Sequence, residues 1–316
     1  MTSAWCSSAA NARTPRSHTG LKPASYTRAR TALVSRRDRV RTECAGPDRR
    51  AGKVRMQESA HARQQELQIV NERGEKLAAT WTDRGTGEVV VLCHGFRSKR
   101  DNRVNVALTD ALTQLGTVRF DFHGNNESEG EFDYAGYAHE ACDVRAVVQY
   151  CRTQLNQRVR GVLGHSKASA SVLLYASMFP DEAPSRIIQV SGRFDMRTGV
   201  RERFGDAILE QLERDGVVTV QDDTSPPYRL RKSSLDERLA LDMATVAHGF
   251  PPAPCALLSV HGSKDEVIPV THAYDFERCV DPAQHTVVVI DGACHRFVQP
   301  EHLRQLVQHC ISFLEA

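Results

Sequence analysis

A serine hydroxyl becomes a nucleophile only when a base takes its proton and fixed donors hold the charge that appears on the attacked carbonyl. Three side chains of this sequence have the types and settings for that work. Ser166 lies in Gly161-Val-Leu-Gly-His-Ser-Lys167, where an apolar strand pattern ends and the helical pattern Ala168-Ser-Ala-Ser-Val-Leu-Leu-Tyr-Ala176 begins. A reversal that sharp puts the serine at the tip of a strained turn, with a helix N-terminus beneath it. Asp265 follows the strand pattern Cys255-Ala-Leu-Leu-Ser-Val-His261, and His295 follows Thr286-Val-Val-Val-Ile290. Both stand just past the carboxyl ends of strand patterns, where open α/β sheets place their sites. Asp265 has local rivals in Glu266 and Asp291, and His295 is set apart from the other histidines of the 13 in the chain by its position.

The chemistry these residues imply is acyl transfer. His295 would act as general base and then general acid, Asp265 would fix its tautomer, and water would resolve an acyl-Ser166. The oxyanion needs two N–H donors: the backbone of Lys167, next after the serine, and that of Phe96, in the turn after Glu88-Val-Val-Val-Leu-Cys-His-Gly-Phe96. No cofactor or metal is called for. Nine cysteines, at 6, 44, 93, 142, 151, 255, 279, 294 and 310, form no CxxC pair and no zinc-ligand spacing. Cys93, Cys255 and Cys310 fall in strand or helix patterns, as small buried apolar groups do, which points to a reducing compartment. Cys294, beside the proposed base, reads as loop filling. Asp121 and His123 also follow a strand pattern, and an Asp in such a turn is more often structural.

The segments His94-Gly-Phe96, Arg119-Phe-Asp-Phe-His-Gly-Asn-Asn-Glu-Ser-Glu-Gly130, Gly164-His-Ser-Lys-Ala168, His261-Gly-Ser-Lys-Asp265 and Gly292-Ala-Cys-His295 together resemble the α/β-hydrolase superfamily. The likeness is to its serine aminopeptidase-like group and, within it, to plant and microbial esterases of the feruloyl/cinnamoyl-esterase type. It runs in unbroken order from about residue 66 to 316. The resemblance implies a Ser166, Asp265, His295 triad, in the chain order of that fold, cleaving esters through an acyl-enzyme. One departure is Ala168 in place of the last glycine of Gly-x-Ser-x-Gly; an added methyl asks only for a small shift between helix and strand.

The elements that would position these residues alternate. A strand pair is expected around Glu66 to Val70 and Lys76 to Trp81, joined by a turn at 71–75. Strands at 89–93, 117–122, 159–163, 186–191, 256–260 and 286–290 then alternate with helices at 104–115, 137–153, 167–178, 270–279 and 301–314. That order means a mostly parallel sheet covered by helices on both faces. From about Arg193 to Gly249 the alternation breaks into a charged insertion with helical patterns at 200–215 and 235–246, separated by Asp222-Asp-Thr-Ser-Pro-Pro-Tyr228. In the resembled fold an insertion after the sixth strand forms a small helical cap over the nucleophile. Phe204, Leu209, Tyr228, Leu239 and Met243 would line its pocket or pin the cap to the body, and pinning is the favoured reading.

A chain of 316 residues with 41% hydrophobic content can bury one sizeable core with a small insertion, and no run approaches the apolar length of a membrane span. The net charge of +2 hides an asymmetry: residues 1–55 carry 13 Lys/Arg against three Asp/Glu, and the remainder 28 against 36, a net −8. A body of that sign gives no electrostatic case for nucleic acid. Residues 1–55, with no acidic residue before Asp38 and no apolar secretory core, read as a plastid or mitochondrial transit peptide; a basic tail, or a true start at Met56 in a cytoplasmic protein, are the alternatives. The hydrolase domain then spans 56–316. The partner expected is a small-molecule ester. The same fold also serves as a small-molecule receptor, and the same triad serves peptidases and thioesterases.

Overall fold

A computed structural model describes residues 62–222 and 225–316. The basic segment with its transit reading, and Met56, lie outside the described residues. An antiparallel pair, β1 (Arg63–Val70) and β2 (Lys76–Asp83), opens the fold; β3 (Glu88–Cys93), α1 (Arg103–Ala111), β4 (Gly116–Phe120) and α2 (Tyr137–Thr153) follow. Next come β5 (Arg158–His165), α3 (Lys167–Met178) and β6 (Arg186–Val190). The insertion contributes α4 (Val200–Asp215), β7 (Val217–Asp222), β8 (Ser225–Arg231), α5 (Lys232–Ala240) and α6 (Met243–His248). The chain ends with β9 (Ala256–Gly262), α7 (Thr271–Glu277), β10 (His285–Ile290) and α8 (Pro300–Glu315). Eight strands form one sheet in the order β1-β2-β4-β3-β5-β6-β9-β10, antiparallel at β1/β2 and β2/β4 and parallel from β4 onward.

The continuous apolar run of β3 is explained by helices on both faces. Val89, Val91 and Cys93 join one core with α2 and α3, while Val90 and Leu92 join a second with α1 and α8. Successive side chains alternate faces, so a strand covered on both sides has no polar position to spare. Cys93, Cys255 and Cys310 are all buried, the last in α8.

Three expectations shift. The helix expected to run to residue 115 stops at Ala111: Leu112 takes an extended conformation, and Leu112 and Leu115 still reach the core from non-helical backbone. The pattern of apolar burial thus outlasts the helix. The strand expected to reach residue 122 ends at Phe120: the Asp121 carbonyl accepts from Ser128 Oγ at 2.5 Å, and its carboxylate accepts from the Arg100 N–H at 2.6 Å and the Arg100 guanidinium at 2.5 Å. The helix expected over 235–246 is two, α5 and α6, because Asp242 accepts from Ala244 N–H at 3.0 Å and caps a fresh helix.

The insertion is helical as expected and carries in addition a hairpin, β7 and β8, where only a separator was foreseen. Val218 pairs with Leu230 and Val220 with Tyr228, and all four are buried in a cluster that the insertion shares with Tyr134, Phe96 and Phe132. The alternating valines were the signal; Pro226 and Pro227 hid it, since proline argues against a strand except at an edge, and both strands of a two-stranded sheet are edges. Of the five candidate pocket residues, Phe204, Leu209 and Tyr228 belong to this cluster, Met243 packs in the main core, and Leu239 is exposed. None of them lines the cavity at Ser166.

Candidate active site

Ser166 follows β5 and starts α3 with φ +59° and ψ −117°, a backbone conformation that L-residues rarely hold. Two contacts enforce it. The Ser166 N–H donates to Val190 O at 2.8 Å, tying the turn to β6. A Cβ at Gly164 would meet the Ala168 carbonyl oxygen at 2.3 Å, so the chain can fold back only over a glycine. The close approach thus falls on Gly164, and the methyl of Ala168 is accommodated fully buried.

His295, in the loop after β10, places Nε2 2.9 Å from Ser166 Oγ and Nδ1 2.8 Å from Asp265 Oδ2. An ionised carboxylate only accepts, so Nδ1 carries the proton and Nε2 is free to accept from the serine. Asp265, in the loop after β9, takes two further bonds at Oδ1 from the Val267 and Ile268 N–H groups, at 2.9 and 2.8 Å. Burial by itself would raise its pKa; hydrogen bonds from His261 and His295 overcome that and hold the carboxyl well below the usual range. The rival carboxylates point elsewhere. Glu266 accepts from the backbone N–H of His295 at 3.2 Å, and Asp291 from Ser263 Oγ at 2.9 Å.

Phe96 and Lys167 line one cavity with Ser166, of about 40 Å³. Lys167 is the first residue of α3, where an N–H has no acceptor within its own helix. The turn carrying Phe96 lies directly against the serine: a Cβ at Gly95 would stand 3.0 Å from His165 O and 3.1 Å from Ser166 Cβ. His94 fixes that turn. Its Nδ1–H donates to Gly95 O at 2.8 Å while Nε2 accepts from Phe122 N–H at 3.1 Å. In a trans peptide the C=O and the following N–H point opposite ways, so holding Gly95 O also sets the direction of the Phe96 N–H.

Sequence reasoning took His94, His165 and His261 as parts of motifs and gave them no task. His165 Nε2 donates to His295 O at 3.0 Å, and its ring lies 5.4 Å from that of His295. Burial, helped by the neighbouring His295, pushes its pKa down to about 4, so the His165 ring is neutral near pH 7. The His261 Nε2–H is shared between Ile268 O at 2.9 Å and Asp265 Oδ2 at 3.3 Å. The only signal in the sequence was a histidine at or near the end of an apolar strand. The Lys167 side chain is also placed: Nζ pairs with Glu140 Oε1 at 2.6 Å, both groups buried. Asp121 and His123 are occupied with Arg100 and Asp143.

No protein-family model and no curated protein sequence matches the chain. Solved structures do match. Est1E from Butyrivibrio proteoclasticus, with ferulic acid bound, is 19% identical over 79% of this chain and all of its own, with a TM-score of 0.61. The Pyrococcus furiosus esterase Pf2001 is 16% identical over 80% of this chain and 91% of its own, with a TM-score of 0.61. Mouse alpha/beta hydrolase domain-containing protein 10 is 16% identical over 79% and 98%, with a TM-score of 0.59. The sheet order, the turn at Ser166 and these likenesses agree on the architecture: this chain has the α/β-hydrolase fold.

Proposed function

We propose that this protein is a serine hydrolase that cleaves a carboxylic ester through an acyl-Ser166 intermediate. The observation that carries the reading is the chain of hydrogen bonds from Ser166 Oγ through His295 to Asp265, at 2.9 and 2.8 Å. As Ser166 Oγ bonds to the ester carbonyl carbon, its proton passes to His295 Nε2, and the oxyanion is held by the N–H groups of Phe96 and Lys167. Collapse breaks the bond to the alkoxide, which leaves as alcohol with the proton from His295. Water then adds to the acyl-serine, His295 taking its proton and returning it to Ser166 Oγ, and the carboxylic acid departs. The ester rather than another acyl substrate is chosen because esterases are among the solved structures that share the fold.

The test is steady-state hydrolysis of 4-nitrophenyl butyrate, with peptide mapping of the residue labelled by a fluorophosphonate. Continuous turnover and label on Ser166 are expected. A single slow burst, or none, would mean that the fold serves here as a receptor.

A further inference from the structure

The insertion lines the cavity at Ser166 with charge. Arg193, Arg203 and Arg238 all face the space that holds the serine. Among the described residues no carboxylate lies within ion-pair distance of any of the three; the ion pairs of the insertion join Arg197 to Asp195, Arg201 to Asp206, Arg214 to Asp215, Arg231 to Glu131, and Lys232 to Glu213 and Asp236. Glu140 is engaged by Lys167 and by Ser171 Oγ. The guanidinium groups are steered by neutral partners. Arg193 donates to Thr198 O at 3.0 Å and Val267 O at 2.9 Å. Arg238, 8% exposed, donates to Met196 O at 2.9 Å and Thr198 O at 3.0 Å and reaches Tyr137 Oη at 3.3 Å. Arg203 lies over the Phe96 ring, 4.4 Å from its centroid.

Placing like charges together is costly unless an opposite charge joins them, the more so for the buried Arg238 and the half-buried Arg193; Arg203 is exposed. The cost is visible at Arg193, whose pKa is lowered by its own burial and by Arg238 and Arg203 beside it. A second feature points to the same space. Tyr134, 2% exposed, lines the cavity and its buried hydroxyl has no hydrogen-bond partner among the described residues. Guanidinium forks and a phenol are donors that match an oxyanion. The cavity of about 40 Å³ suits a short arm.

We infer that the cap selects esters that carry an oxyanion, a carboxylate or a phosphate, on a short arm, with Arg193, Arg203, Arg238 and Tyr134 as its binding groups. The inference rests on the ester-hydrolase reading and adds the substrate class to it. Charge at the cap would draw the anionic end in and so leave the ester carbonyl at Ser166.

Ethanol release from monoethyl glutarate and from ethyl hexanoate tests it, each with glutarate and with inorganic phosphate as inhibitors. The wild-type protein should favour the anionic ester by about tenfold or more in kcat/KM, a difference of about 1.4 kcal/mol. Arg203→Gln, at an exposed position of α4, should fold, and should lower that ratio several-fold through KM. Stronger inhibition by glutarate would assign the oxyanion to a carboxylate, and stronger inhibition by phosphate to a phosphate. Equal or better turnover of ethyl hexanoate would overturn the inference while leaving the esterase in place, as would a preference that Arg203→Gln and Arg193→Gln both leave unchanged. If neither ester is cleaved, the hydrolase reading has failed on its own. Calorimetric titration with glutarate and phosphate then decides: binding weakened by Arg203→Gln supports an anion pocket, and no binding of either ion removes it.

Discussion

The corner that holds Ser166 and the wall that the insertion brings against it line one cavity, yet they are built by different means. Phe96 follows β3, Ser166 follows β5, Asp265 follows β9 and His295 follows β10, all strands of one parallel array. Sheet hydrogen bonds therefore fix the spacing of these four positions, which the proposed reaction uses. The wall has no such register. Arg193, Arg203 and Arg238 come from the segment after β6, from α4 and from α5, and they are steered by carbonyls, a tyrosine hydroxyl and a ring. Backbone register suits a reaction that tolerates little displacement, and long side chains on a cap suit the choice of substrate.

Breaking the corner should give the largest effects. Ser166→Ala leaves the fold intact and removes the attacking atom, so kcat should fall on the order of 10⁶-fold, as in other serine hydrolases; turnover at the wild-type rate in the purified variant would refute the assignment. Asp265→Asn should lower turnover about 10⁴-fold by favouring the wrong imidazole tautomer. Glu266→Gln and Asp291→Asn should cost far less, because neither side chain touches the His295 ring; a crippled Glu266→Gln would move the acid's role to that residue.

Gly95→Ala sharpens the comparison by striking backbone alone. Its Cβ would press on His165 O and on Ser166 Cβ, shifting the turn that presents the Phe96 N–H. Loss of one oxyanion donor lowers kcat by about 10² to 10³, and this shift should cost up to the lower figure with KM little changed. An unaltered kcat would remove Phe96 from the oxyanion site.

The smallest effect separates the sheet from the wall through pH. Burial lowers the pKa of His165 and of His285, in β10, to about 4. From pH 6.5 down to about 4 the unfolded chain protonates these imidazoles and the folded chain does not. Stability should therefore be full above pH 6.5 and fall with acid across that window, by at most about 1.4 kcal/mol per pH unit for each histidine. Urea midpoints at pH 7 and pH 5 measure it. His285→Leu should flatten the profile, and Arg203→Gln should leave it as it is; a flat profile in the unaltered protein would show that neither imidazole is held neutral.

Much of the corner was legible because its signals are local. A strand pattern, a glycine, a serine and a helix pattern occupy neighbouring positions, and the helices α2 and α3 fall at the expected residues, Tyr137–Thr153 and Lys167–Met178. Choosing Asp265 over Glu266 needed more than proximity in sequence, since adjacent carboxylates differ only in where the loop turns them. Sequence alone determined the alternation of strands and helices, the position of Ser166 at a strand-to-helix reversal, and the place of Asp265 and His295 after their strands, because apolar periodicity and turn residues act over a few positions. Tertiary structure decided what no short range could: the hairpin in the cap, the tasks of His94, His165 and His261, and the meeting of three arginines from separate segments at Ser166. Those contacts join residues tens of positions apart, and only the packing of the insertion against the sheet brings their charges into one space.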